Sequence, residues 1–533
     1  MTDNTKEPKK EKEAPFKDGF FFTDETYKEI YSLDPDFFDD IITFPEGVNI
    51  KAGVLNRLYE SNKYISNIFI NPNTTIDERA FMNDDDKGNA FTLTFAPGCT
   101  EIPDAALSFS AFKTVNLPST LKKIGEAAFS SAKNLSKIDL SNVEVIEDYA
   151  FLNTGLMSIN LGKNIKKLGN NIFASCRYLI NAKYECDLSI PDYMFEKSSL
   201  EFFEYDKNAD IVSIGTSAFD GTRLKSFEFS ENIQIVNNTA FHDTKLESIV
   251  IPKTIRQIHD SAFYNCKNLK EVFFEDDIYA FPSLELGNAV FGNTAITSLT
   301  IPARTGLLHS TCSHMKELET LIVNAPLNDV PKKFALYCPK LKSVSFNTPV
   351  STVGEAAFFD TALMDFDFSK TELIAENAFS HCNLDEIIFG DIQKISVDRN
   401  AFRGQFIHSK PEKTYIFLKN NGTVLNDLNK NFEPEDAYIV LSANNVEKHS
   451  MKIINEINKE YYKGNQILLI ESDFDFLLTL SKEERHAFVD MIFNNDEEMF
   501  ENAIKDELLS IRKASKLSKM VNTYLPGIGA NGR

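Results

Sequence analysis

From Leu121 to Pro252 the apolar positions of the chain repeat one phrase with small changes. An aliphatic residue stands five positions before a phenylalanine, as Ile124 before Phe129 and Ile146 before Phe151, and a run spaced like Leu135, Ile138 and Leu140 follows. The same phenylalanine returns at Phe173, Phe195, Phe219, Phe241 and Phe263, in steps of 22 residues except for one of 24. Carried forward, the register gives Phe291, Cys312, Ala335, Phe358, Phe379 and Phe402; carried back, it gives Leu107, Phe81 and Tyr59. A period of about two dozen residues marks a solenoid, because one repeat cannot bury its apolar face alone and must stack on its neighbours.

Each half of the phrase predicts its own element. Leu246, Ile249 and Ile251, then Leu318, Leu321 and Val323, alternate over a few residues before a turn, which is the pattern of one short strand per repeat. The half holding alanine and phenylalanine is too short for a full helix and reads as a compact turn or 3-10 segment. The expected fold is an α/β repeat solenoid: a right-handed array of about sixteen turns with one parallel strand each, followed by a mixed α/β unit. Three residues after the marker stand Thr154, Thr222, Thr244, Thr294 and Thr361, or Cys176, Cys266, Cys338 and Cys382. Both types are small donors, so this column is expected to satisfy the carbonyls of the turn.

Outside the array the pattern changes. Residues 1–18 read as a charged disordered tail and 19–45 as an N-terminal cap, with a short helix over Asp24 to Leu33 and Thr23 as its N-cap. The array spans 46–405, with insertions around Asp84 to Asp86 and Glu275 to Asp277 that lack the donor spacing of a calcium loop. Residues 406–533 form the C-terminal domain. In it Tyr415–Leu418, Tyr438–Leu441 and Ile467–Ile470 read as buried strands, and Val446 to Tyr462 as a helix. Ser481 to Glu484 is a capping box before a helix, and a further helix is expected over Glu497 to Tyr524, with Arg512, Lys513, Lys516 and Lys519 near its end.

Composition narrows the partners. A net charge of -22 argues against nucleic acid, which needs clustered Lys and Arg. No run approaches the length of a membrane helix, and neither terminus carries a secretory h-region or anchor signal, so direct membrane insertion and standard export are not expected. Seven cysteines, an odd number with most in core columns, do not form a disulfide framework and suit a reducing compartment. No cofactor is called for. His309, Cys312 and His314 come nearest to a metal cluster, but Cys312 lies in the marker column and faces inward. The motifs of nucleophile elbows, phosphate loops and zinc proteases are missing, so no catalytic residue is assigned and the chain does not read as an enzyme.

The stretch running through Leu117, Pro118, Leu121, Ile124, Gly125, Ala128 and Phe129 resembles the BspA-type, or Treponema pallidum type, leucine-rich repeats. The resemblance covers about residues 40–405. It implies a leucine-rich-repeat fold and a role in adhesion or ligand binding at a cell surface, and it supplies no catalytic residue. By sequence alone the chain is placed in the cytoplasm or in a particle; by resemblance it is placed at the surface or outside the cell.

Regular stacking turns one outward strand position per repeat into a continuous row. Asp139, Asn160, Lys183, Glu204 and Glu228 begin that row; Val250, Phe273, Thr300 and Ile322 continue it with a largely apolar stretch where solvent-facing positions should be polar. These four are the candidate binding residues, for a protein or glycan partner, unless the C-terminal unit covers them. Other readings are an intracellular scaffold, or a structural part of a larger particle such as a phage or injection device, with self-association through the C-terminal domain.

Overall fold

A computed structural model describes residues 15–61, 64–83, 91–275, 283–390, 395–405, 414–418, 431, 437–442, 467–470 and 474–494. The chain divides into two compact units, 1–275 and 276–533, each a stack of parallel-strand coils; the whole makes about sixteen turns with little helix.

In the first unit most coils carry the expected strand and a second one of two residues; Leu224–Phe229 follows the pattern without forming a strand. Ser158–Leu161 pairs in parallel with Asn181–Tyr184, and that with Phe202–Tyr205. On another side of the coil Lys123–Ile124 pairs with Val145–Ile146, and that with Lys167–Leu168. The added strand ends at the aliphatic residue of the repeated phrase, so this residue both packs inward and enters a ladder. Alternation puts Ile159 and Leu161 inside and Ser158 and Asn160 outside.

The marker ring fills the centre. Phe129, Phe151, Phe173, Phe195, Phe219, Phe241 and Phe263 are fully buried, with neighbouring rings nearly parallel and centroids 5.0 to 5.7 Å apart. Each buried ring stabilises the fold by about 1.5–3 kcal/mol through removal from water, and ring-on-ring packing adds to that. The turn around the marker is a hydrogen-bonded ladder of its own: the N–H of Phe219 donates to the carbonyl of Ala240, and that of Phe241 to Ala262, both at 2.8 Å. To aim these amides along the stack the residues two before and two after the marker take positive φ, as at Ala127 (50°) and Ser131 (60°). The ladder overrides a conformation unfavourable for a residue with a Cβ.

Close approach of the coils also explains a glycine in the phrase. A Cβ on Gly125 would lie 2.7 Å from the backbone nitrogen of Asp104 in the coil before, while the Asp104 carboxylate accepts the N–H of Glu126 at 2.8 Å. Asp192 accepts from Thr216 N–H in the same way, at 2.6 Å.

The N-terminal end differs from expectation. Strand structure reaches into the anticipated tail, with Phe16–Lys17 antiparallel to Phe20–Phe22 and that in turn to Glu29–Leu33. Glu29–Leu33 is a strand, not the end of a helix. Asp24 closes a tight turn by accepting Thr26 N–H at 2.8 Å, and Tyr27 has φ 56°, which together stop helix growth. The strand then pairs in parallel with Asn49–Ile50 and starts the stack, burying Ile30 and Leu33. A short helix, Asn56–Glu60, carries the first marker, Tyr59.

In the second unit Ser298–Ile301, Thr320–Val323 and Ser343–Phe346 form one parallel sheet. Phe291 and Cys312 are fully buried markers, as is Ala335, and the stacked rings resume at Phe358, Phe379 and Phe402. The three strands expected beyond Phe402 exist, but they extend the array's sheet: Glu386–Phe389 pairs in parallel with Thr414–Leu418, then Ala437–Ser442, then Ile467–Ile470. Helices Phe474–Leu478 and Lys482–Asn494 follow. Ser481 Oγ accepts Glu484 N–H at 3.2 Å and Glu484 accepts Ser481 N–H at 2.8 Å, the expected capping box. The acidic stretch Asp84 to Asp86, the helix over Val446 to Tyr462 and the basic helix over Glu497 to Tyr524 lie outside the described residues.

Candidate binding surface

The outward row is built by strand alternation over a rigid interior. In the first unit Ser248–Ile251 pairs with Glu271–Phe274 so that Val250 lies directly beside Phe273, with Ile249 and Ile251 buried beneath. Val250 is 49% exposed and Phe273 55%. In the second unit Thr300 lies beside Ile322; Thr300 is exposed and Ile322 half-buried. Alternation thus brings the four candidates together as two pairs, one in each unit. Val250 and Phe273 form the apolar pair that water reaches.

A second apolar group is not among the candidates. Met157, Ile180 and Phe202 are 59%, 41% and 58% exposed and stand on successive coils, with Ile180 N–H donating to Met157 O and Phe202 N–H to Ile180 O, both at 3.0 Å. They stand at or just before the start of the strand, two or three positions ahead of the row residues Asn160, Lys183 and Glu204. Aligning those positions as their own columns is the signal that finds them.

At the far end of the second unit the outward face is covered. Tyr415 and Phe417 hold outward positions yet are buried, with the helix Lys482–Asn494 against them, and their register neighbours Tyr438 and Val440 are buried as well. Arg485 forks onto Glu386, with Nε to Oε1 at 3.0 Å and Nη2 to Oε2 at 2.7 Å, and its guanidinium lies 5.9 Å from the Phe417 ring centre. His486 stacks on Tyr415 at 3.7 Å; its Nε2 lies 3.3 Å from Glu386 Oε1 but off the hydrogen-bond direction, so it acts there as a close neighbour. Tyr415 donates its hydroxyl to Asp490 at 2.7 Å, and Lys482 bridges Asp385 and Asp365 at 2.6 and 2.9 Å. Burial opposes ionisation of Glu386, but the imidazole and the guanidinium outweigh it and hold the carboxyl below its ordinary range. Burial, with the Asp490 carboxylate, pushes the Tyr415 hydroxyl well up. These partners are turned toward one another, which makes the cluster a clamp between helix and sheet.

The threonine and cysteine column also acts on the backbone. Thr222 donates to Phe219 O at 2.8 Å, within its own turn. Cys176 and Cys266 reach back one coil, to Phe151 O at 3.1 Å and Phe241 O at 3.0 Å, and meet Thr154 and Thr244 on the way. The longer reach of sulfur separates the two roles. Burial pushes both thiols up to about 11 and so keeps them protonated donors. All seven cysteines are free and buried. Cys312 sits in the core, His309 lies 3.8 Å from Glu285, and the His314 ring is tilted against that of Tyr337 with centroids 5.4 Å apart. Among the described residues, no group of three or more His, Cys, Asp or Glu is arranged to hold a metal ion, and no helix is long and apolar enough to cross a membrane.

Among solved structures the chain is similar to a leucine-rich repeat protein of Bacteroides ovatus, at 18% identity over 79% of this chain and 97% of that one, with a TM-score of 0.46. It is also similar to the pneumococcal vaccine antigen PcpA, at 17% identity over 78% and 92% with a TM-score of 0.38, and to the T. pallidum leucine-rich repeat protein, at 18% over 41% and 89% with a TM-score of 0.21. No curated protein matches. The model of the BspA type leucine rich repeat region matches six copies, over residues 54–180, 188–312 and 284–408. With repeat phrase, parallel coils and family model in agreement over more than half its length, the chain belongs to the BspA-type leucine-rich repeat family.

Proposed function

We propose that this protein is a non-enzymatic binding or adhesion solenoid that offers the outward row of its parallel sheet to a protein or glycan partner. The observation that carries the reading is the pair Val250 and Phe273, side by side and half exposed on strand positions where their inward neighbours are packed. Apolar side chains held in register on a rigid sheet lose little conformational freedom on contact, which favours a buried interface. An aromatic anchor such as Phe273 is the kind of residue that carries most of the energy of such an interface.

The test is site-specific photo-crosslinking from position 273 of the full chain in a native extract, with Phe273→Asp as the capture control. Binding through the row predicts a discrete crosslinked product, and capture lost in the variant with its folding intact. Capture unchanged by Phe273→Asp would place the contact elsewhere.

A further inference from the structure

The covered end of the sheet shows what chemistry an outward apolar pair of this kind accepts. There, Ile388 lies beside Phe417 in the row, and Glu386 stands two residues before Ile388 on the same strand. The chain's own helix closes this spot by setting Arg485 on Glu386 and over Phe417, with the buried apolar side chains Phe488 and Val489 on the same helix.

The first unit sets the same residue types on an uncovered stretch. Val250 lies beside Phe273, and Glu271 stands two residues before Phe273 on the aromatic's own strand, whereas Glu386 precedes the aliphatic partner Ile388; in both places a carboxylate at the start of a strand flanks the outward pair. Glu386 is spent on Arg485; Glu271 is exposed and, among the described residues, forms no ion pair. Glu247 and Glu275 are exposed nearby, with Lys270 between them in sequence.

We propose that Val250, Phe273 and Glu271 receive an amphipathic helix of a partner protein, with an apolar ridge on the aliphatic and aromatic pair and an arginine on the carboxylate. A guanidinium fits better than an ammonium, because it binds a carboxylate through two donors while stacking on the adjacent ring. The inference rests on the binding reading above and names the occupant.

The experiment uses the full chain and two synthetic helical peptides with the same leucine and phenylalanine ridge, one flanked by arginine and the other by glutamate, followed by fluorescence anisotropy. The arginine peptide is expected to bind with Kd on the order of 10–100 µM, and the glutamate peptide at least about tenfold more weakly. Phe273→Asp should remove binding. Glu271→Lys should reverse the preference between the two peptides, a readout that a folding defect does not produce; thermal unfolding of both variants serves as the folding check. Equal binding of both peptides, binding by neither, or no reversal in Glu271→Lys overturns the inference. If the peptides fail while crosslinking from position 273 still depends on Phe273, the helical occupant is wrong and the binding row stands; if both fail, the two readings fall together.

Discussion

The coils between Phe129 and Phe274 and those between Glu386 and Asn494 share an inward pattern and differ in what they do outward. In the first set, rings stack through the centre and the outward face meets water at Asn160, Glu204 and Phe273. In the second, Ile387, Phe389, Ile416 and Leu418 still fill the inside, but Tyr415 and Phe417 are sealed under a helix held by a buried ion pair. The interior of a repeat array is dictated by stacking alone. Its outer face is free to vary, and there one region is open while the other is closed by its own chain.

The sharpest break in this contrast comes from the interior of the first region. Phe219 touches the rings of Phe195, Phe241, Phe203 and Phe227. Phe219→Ala removes all four contacts in a site where backbone ladders on both sides prevent collapse, so it should cost about 3–5 kcal/mol. Urea unfolding, with hydrogen exchange of the amides around Ala218 and Ala240, reads the loss. A cost below about 1 kcal/mol would mean that the ring column does not hold the coils together.

In the second region the matching cut is electrostatic. Glu386→Ala leaves the Arg485 guanidinium buried without its carboxylate, at a cost of about 3 kcal/mol to helix docking. Replacing both, as Glu386→Leu with Arg485→Met, should restore most of it, because an apolar pair avoids the desolvation of two charges. Acid acts on the same contact. The Glu386 carboxyl in the fold lies below its ordinary value of 4.5, so its contribution is fully present above that value and is lost as pH falls through the lower folded one. Exchange protection of Thr414–Leu418 should therefore hold as pH falls from neutral to the ordinary carboxylate value of 4.5 and be lost only below it in the wild type. In the apolar double variant that loss should be absent.

The inward half of this comparison is legible in the sequence and the outward half is not. The spacing from Ile124 to Phe129, repeated every 22 residues or so, reports burial directly, and Phe129, Phe151 and Phe219 are core as expected. The second strand, as at Lys123–Ile124 and Val145–Ile146, is too short at two residues to alternate visibly, and it hides inside the turn half of the phrase. Glu29–Leu33 misleads because Asp24 and Thr23 offer helix-cap chemistry, while the pairing that makes a strand comes from Asn49–Ile50 further along. The capping box at Ser481 is a local signal and is read correctly. The surface its helix lies on is not local: Arg485 and Glu386 are 99 residues apart, and single-chain periodicity carries no term for such a contact. Of the candidate row, the pairing of Val250 with Phe273 follows from strand alternation, whereas the half-burial of Ile322 depends on neighbours that the pattern does not name.

A smaller effect tests how the coils are trimmed. Thr222→Val keeps the shape of a fully buried side chain and removes one donor to Phe219 O, which still accepts Thr222 N–H at 3.2 Å. Since the carbonyl retains a partner, the expected cost is about 1 kcal/mol, against more for an acceptor left empty. Chemical denaturation measures it, and a cost near that of Phe219→Ala would make the column, not the rings, the main support of the turn.

The smallest expected stability change is at the open face itself. Phe273 is 55% exposed, and its strand is pinned by the ladder to Ser248–Ile251 and by Leu269 buried ahead of it. Phe273→Asp should therefore shift unfolding by only about 0.5 kcal/mol, as surface changes away from caps and cores do. The same substitution at Phe417, identical in row position but fully buried, would place a carboxylate beneath a helix beside Arg485 and should release that helix. Measured side by side, the two variants separate exposure from strand position. Near-equal destabilisation would mean that Phe273 is packed as Phe417 is, and the open face would then have no free aromatic to offer a partner.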